Sequence, residues 1–189
     1  MAILVVFFGG FQSSQIDMDL WLANARKQQE DVHFEAFPFP NIRKSGDADA
    51  VNGFKQFDAA IKIIEDSNAD KIFIVGHSSG CAIANEVNSR LGGDHKNITL
   101  VDLDGFAPQP KQIKGSTVQA WFAVGPGGKG KSKNHSLGRI KFTAAQATQP
   151  WSLHFSLVNK AATDDITQDN YKTEGYAGCI ANLDFLEHK

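Results

Sequence analysis

Two cysteines, two methionines and two tyrosines in 189 residues are few. Cys81 and Cys179 are too sparse for a disulfide framework and make no metal motif. No metal or cofactor is therefore expected. No run approaches the ~20 apolar residues of a membrane-spanning helix. The apolar stretch 2–8 has no basic lead and is too short for the apolar core and cleavage site of a secretory signal. Charge of neither sign dominates: 19 Lys and Arg against 21 Asp and Glu leave a formal −2. That balance gives no electrostatic reason to expect nucleic acid or an anionic membrane as a partner. Internal repeats and low-complexity tracts are also absent. A single domain, 1–189, with a cytoplasmic location and a buried free thiol at Cys81 is the expectation.

What is present is alternation of apolar runs with helical periodicity. Residues 2–8, Ala-Ile-Leu-Val-Val-Phe-Phe, form a continuous apolar run ending at Gly9-Gly10, as in a strand buried on both faces. A helix is predicted over 17–29 from Met18, Leu20, Trp21, Leu22 and Ala25. A strand follows at 32–37, stopped by Pro38 and Pro40, then a polar loop over 41–49. Residues 51–67 carry Phe54, Phe57, Ala60, Ile61 and Ile64 at helical spacing. Further strands are predicted at 71–75, 98–104, 117–124 and, more weakly, 140–147; 150–154 reads as a loop and 176–187 as a helix. This order predicts a three-layer α/β fold, with a mostly parallel sheet of about six strands and helices on both faces.

The chain is organised around Gly76-His77-Ser78-Ser79-Gly80, between the strand 71–75 and a helix beginning at Cys81. Strand, G-x-S-x-G, helix is the pattern of a nucleophile elbow. The turn is so sharp that small flanking residues are needed, and it lifts the Ser78 hydroxyl above the sheet edge. The Ser79 N–H, at the start of a helix, is aimed where an oxyanion would develop. A second oxyanion donor is expected from the loop after the first strand, at Phe11 or Gln12, where Gly9-Gly10 allows close approach. His77 occupies the variable position of the elbow and is expected to point away from the Ser78 hydroxyl. With Gly10 and Trp151, it is retained as a candidate substrate contact.

A serine nucleophile needs a base, and the base an orienting acid. His33 lies inside a strand, His95 follows the elbow helix on the wrong side and His188 is at the end of the chain. His154, after the last strand, is the first choice for the base and His135 the alternative. No Asp or Glu occurs between Asp104 and Asp164, so the loop after strand 117–124 has no acid to offer. Asp102 and Asp104 remain, at the end of the strand after the elbow helix. Two residues apart, they share a strand face. Asp104 is nearer the loop and is preferred; Asp102 is deeper and suited to a local hydrogen bond.

These segments together carry a resemblance. Asp104-Gly105-Phe106-Ala107-Pro108 resembles the acid segment of thioesterase domains, His154-Phe155-Ser156-Leu157-Val158 their histidine segment, and Gly76-His77-Ser78-Ser79-Gly80 their elbow. The resemblance is to the thioesterase-like branch of the α/β-hydrolases. It implies a serine hydrolase acting on acyl thioesters or carboxylic esters, with Ser78, His154 and Asp104 as a triad. It also implies a substrate that can be carried on coenzyme A or a carrier protein. Those domains usually carry a helical lid after the acid strand. Here the next strand starts about ten residues after Asp104, so the lid is expected to be absent or minimal. A lidless carboxylesterase or lipase-like enzyme is the near alternative, and a catalytically silent hydrolase-fold binding protein the remote one.

Gly125-Pro126-Gly127-Gly128-Lys129-Gly130-Lys131-Ser132 matches the phosphate-binding pattern G-x-x-x-x-G-K-[ST]. Residues 133–138 make a poor helix, and no acid follows before Asp164 to organise Mg²⁺. A basic surface loop is the better reading, with Lys129, Lys131 and Lys133 able at most to attract an anionic part of a substrate.

Overall fold

A computed structural model describes residues 1–91, 96–105, 117–121, 150–162, 166, 170, 175–176 and 180–187. Among them, five parallel strands form one sheet: β1 (Ile3–Phe8), β2 (Val32–Phe37), β3 (Lys71–His77), β4 (Ile98–Leu103) and β5 (Thr117–Trp121). Their order across the sheet is β2-β1-β3-β4-β5. The sequence reading of about six strands counts one at 140–147, which lies outside the described residues.

The central strands β1, β3 and β4 read as near-continuous apolar runs because both sheet faces are covered there. Leu4, Val6 and Phe8 of β1 join Ile72, Ile74 and Leu100 on one face. There they meet α2 (Asp47–Gly53), α3 (Phe57–Glu65) and α4 (Gly80–Arg90). Val5 and Phe7 join Phe73, Val75, Val101 and Leu103 on the other face. That side packs against α1 (Gln15–Gln28), α5 (Pro150–Ser156) and the C-terminal residues Ala181, Leu183 and Phe185. The result is three layers, with the apolar core split in two by the sheet.

Local chemistry explains where several elements depart from the sequence reading. Helix α1 starts at Gln15 rather than 17, because Ser14 and Asp17 form a reciprocal capping box. The single helix expected over 51–67 is two helices. Gly53 ends α2 and Phe54 turns extended (φ −75°, ψ 121°), which sends its ring edge-on to Phe8, Phe37 and Phe57. The first of these helices also begins inside the stretch expected to be loop, at Asp47. Residues 150–154 are helical instead of loop: Pro150 opens α5, a position where its missing N–H costs nothing. The C-terminal helix expected from 176 is not formed over 180–183, where Ala181 bridges antiparallel to Asn159; among the described residues of this stretch, Asp184–Leu186 makes a short 3₁₀ turn.

Register brings the carboxyl ends of the strands to one edge. Phe8 lies opposite Gly76, His77 opposite Leu103, and Leu103 opposite Trp121. Gly9-Gly10, Ser78 and Asp104 each follow one of these ends. β1, flanked by β2 on one side and β3 on the other, is where the strand order reverses, the place where sheets of this kind form crevices.

Candidate active site

The elbow has the predicted shape. Ser78 has φ 55°, in the left-handed region that L-residues rarely adopt, and its N–H donates to the Leu103 carbonyl at 2.9 Å. The two glycines are required by crowding. A Cβ on Gly76 would lie 2.5 Å from Cys81 Cα, and one on Gly80 would lie 2.4 Å from the Phe8 carbonyl oxygen. Both obstacles are backbone, which cannot swing away, so only glycine lets α4 start this close to β1 and β3. The Ser79 hydroxyl donates to the Ser45 carbonyl at 3.0 Å and ties the turn to the segment before α2. The Ser79 N–H is at the N-cap of α4, where backbone donors lack intrahelical partners. Among the described residues, it donates to no protein group.

Asp104 and His154 meet at the same sheet edge. The His154 Nδ1–H donates to Asp104 Oδ2 at 2.6 Å, with both side chains almost fully buried. A carboxylate accepts only, so this bond assigns the proton to Nδ1 and leaves the Nε2 lone pair as the basic site. Asp104 is not simply the next residue of the strand. Its φ is 58°, its N–H donates to the Trp121 carbonyl at 2.8 Å, and β4 has ended at Leu103. The expected sharing of one strand face with Asp102 is therefore overturned by the turn at Asp104.

Asp102 is engaged locally. Its Oδ1 accepts the Gly105 N–H at 2.7 Å and lies 3.4 Å from Cys81 Sγ, which also donates to the Gly76 carbonyl at 3.0 Å. Burial pushes the Asp102 carboxyl up to about 6, against the opposing pull of the Gly105 N–H. Burial, reinforced by Asp102, likewise holds the Cys81 thiol well above its usual range, so it is an unreactive neutral group beneath the elbow.

On the β1 side, Ser13 N–H closes a turn onto the Gly10 carbonyl at 2.9 Å, and Gln12 has φ 66°. Phe11 is half-buried, edge-on to Phe39, and Gln12 is exposed. Gly10 lies against the elbow: a Cβ there would be 2.9 Å from Ser78 Cβ. Its N–H is taken by the Tyr176 hydroxyl at 3.2 Å. Trp151 is half-buried with its ring edge-on to His154, 6.0 Å between centroids. His77, expected as a substrate contact, is instead 1% exposed and has both ring nitrogens bonded within the protein. Tyr176, its partner, escaped the sequence reading, since a tyrosine 99 residues away carries no local signal.

Ser78 is 6% exposed and His154 2%. The segments where a lid would sit, the alternative base His135 and the Gly/Lys-rich loop 125–133 lie outside the described residues. Among the described residues, no group of three metal-ligating side chains is assembled, and no helix is long and apolar enough to cross a membrane. A hollow of about 710 Å³ lies at the other end of the sheet, between the start of β1, β2 and α3. Its charged groups pair among themselves, His33 with Glu35 at 2.9 Å and Lys62 with Asp66 at 2.6 Å.

No protein-family model matches the chain, and no curated protein matches it in sequence. Solved structures resemble it distantly. An extracellular α/β-hydrolase from a Paenibacillus species, described as sharing structural and functional homology with tobacco salicylic acid binding protein 2, aligns at 14% identity and a TM-score of 0.42. That alignment covers 91% of this chain and 65% of the other, so the chain spans about two-thirds of that protein's length. An iodinated complex of acetyl xylan esterase aligns at 11% identity and a TM-score of 0.36, covering 96% and 97% of the two chains. Phospholipase PlaB from Legionella pneumophila aligns at 17% identity and a TM-score of 0.30, over 52% of this chain and 24% of its own. Likenesses of this strength do not assign a family.

Proposed function

We propose that this chain has an α/β-hydrolase fold and is a serine hydrolase that cleaves acyl thioesters or carboxylic esters through an acyl-enzyme. The observation that carries the reading is the buried 2.6 Å bond from His154 to Asp104, formed at the sheet edge that also bears the strained Ser78 turn.

Ser78 Oγ attacks the acyl carbonyl while His154 Nε2 takes its proton. Asp104 holds the imidazole in the Nδ1–H tautomer and stabilises the cation that forms. The Ser79 N–H and a second N–H from Phe11 or Gln12 receive the developing oxyanion. His154 then protonates the departing thiol or alcohol. Water, deprotonated by the same nitrogen, releases the acid and regenerates Ser78. Each step uses side chains and backbone of this chain and needs no further reagent than water. The thioesterase-like reading extends this to acyl groups carried on coenzyme A or a carrier protein.

Two measurements test the proposal. A fluorophosphonate probe should label the wild-type protein at Ser78 and leave Ser78→Ala unlabelled. A panel of acyl-coenzyme A thioesters and p-nitrophenyl esters of graded chain length should then show turnover. A folded wild-type protein that neither labels nor turns over any member of the panel would overturn the assignment.

A further inference from the structure

His77 is buried beside the proposed base without taking part in the proton transfers above. Its ring lies against that of His154, tilted by 36° with 4.4 Å between centroids, and its Nε2 lies 3.1 Å from the His154 carbonyl oxygen. A carbonyl can only accept, so His77 Nε2 must carry a proton. Burial, and the neighbouring His154, hold the His77 ring well below its usual pKa, so the ring is neutral and its Nδ1 is an acceptor. Nδ1 is 2.9 Å from the Tyr176 hydroxyl, which must therefore donate to it. The lone pair left on that hydroxyl accepts the Gly10 N–H at 3.2 Å. With the His77 ring neutral, the protons in this chain of bonds run Gly10 N–H to Tyr176 Oη, Tyr176 O–H to His77 Nδ1, and His77 Nε2–H to His154 C=O.

The two ends of that chain belong to different parts of the site. Gly10 precedes Phe11 and Gln12, the loop that offers the second oxyanion donor. His154 is the proposed base. Between them, His77 is covalently next to Ser78. We propose that His77 and Tyr176 are positioning residues that lock the oxyanion loop, the nucleophile turn and the His154 backbone into one register. The proposal rests on the serine hydrolase reading for its kinetic consequences, but not for the bonds themselves.

The polarity gives the relay a single working state. If the His77 tautomer reversed, two lone pairs would face each other at the His154 carbonyl. A protonated His77 would set a cation against the imidazolium that forms during turnover. The Tyr176 hydroxyl, by donating to Nδ1, selects the neutral tautomer that His154 tolerates. Misplacement of a catalytic group by ~1 Å can cost about 10²-fold, so loss of this lock should be visible in turnover well before it is visible in folding.

Three variants divide the relay. Tyr176→Phe keeps the ring and removes the middle hydroxyl. His77→Asn keeps an acceptor near the Nδ1 position and loses the donor to His154. His77→Gln keeps a donor near the Nε2 position and loses the acceptor for Tyr176. We expect kcat to fall about 10- to 100-fold in Tyr176→Phe and His77→Asn, with KM changed less than about threefold, and His77→Gln to recover part of the loss. The double variant Tyr176→Phe/His77→Asn should lose little more than the worse single one, because both break the same chain. A substrate-free readout separates this proposal from the functional one: the downfield NMR resonance of the His154 Nδ1–H, bonded to Asp104. It should shift or broaden in Tyr176→Phe and His77→Asn and stay near its wild-type position in His77→Gln, at unchanged circular dichroism. If wild-type protein shows no labelling or turnover, the hydrolase reading fails while the resonance still tests the relay. Wild-type kcat and resonance in Tyr176→Phe, or losses that merely follow each variant's thermal midpoint, would overturn it.

Discussion

Asp102 Oδ1 accepts the Gly105 N–H at 2.7 Å, looping over the very residue, Asp104, whose carboxylate faces His154. The two carboxylates therefore have separate duties: one shapes the turn and the other meets the imidazole. Asp104→Asn should lower kcat by on the order of 10⁴-fold, because an amide admits the wrong imidazole tautomer. Asp102→Asn keeps an oxygen for the Gly105 N–H and should retain turnover within about tenfold. Steady-state kinetics on the best ester or thioester of the panel decide this. Equal losses at the two positions would contradict the assignment.

Asp102 should also leave a mark on stability. Its carboxyl, ordinarily near 3.8, is raised to about 6 in the fold, chiefly by burial. A raised carboxylate pKa means the protonated form is favoured by folding. The contribution is fully present below about pH 3.8 and is lost as pH rises through about 6. The stability of wild type minus that of Asp102→Asn should therefore decline over that window, by on the order of 3 kcal/mol. Urea unfolding of both proteins between pH 4 and 7 checks the sign. A difference that stays flat, or grows with pH, would refute the burial argument.

Ser78→Ala should retain the fold and lose turnover by on the order of 10⁴-fold or more. Alanine at φ 55° suffers the same backbone strain as serine, so the thermal midpoint should change little. Calorimetry paired with probe labelling measures both. Residual activity close to wild type would remove Ser78 from the mechanism.

Gly80→Ala tests the packing of the elbow. The new methyl would be placed 2.4 Å from the Phe8 carbonyl oxygen and 2.5 Å from that of Gly9. Neither can move without displacing the end of β1 and the loop it leads into. A loss of about 3 kcal/mol, or failure to accumulate folded protein, is the expected outcome, read by denaturant unfolding and yield. A stable, active Gly80→Ala protein would show that α4 has freedom its packing denies.

The sequence by itself determined the features that are written locally. Apolar runs at 3–8, 71–77 and 98–103 became strands because a sheet covered on both faces buries such runs. The elbow was legible because its strand, its two glycines and its helix are contiguous. The absence of acids between Asp104 and Asp164 left the two strand-end aspartates as the candidate acids beside His154. What tertiary structure decided is what depends on distant partners. Pro150 can end a loop or begin a helix, and packing of Phe155 and Val158 into the core selects the helix. The aromatic cluster around Phe54 divides one periodic segment into two helices, since ring packing outweighs the small preference for continuing a helix past Gly53. A positive φ at Asp104, stabilised by Trp121, separates two aspartates that alternation alone would place on one face. The inward turn of His77 depends on Tyr176, 99 residues away, because a buried imidazole must find partners for both nitrogens wherever the fold supplies them.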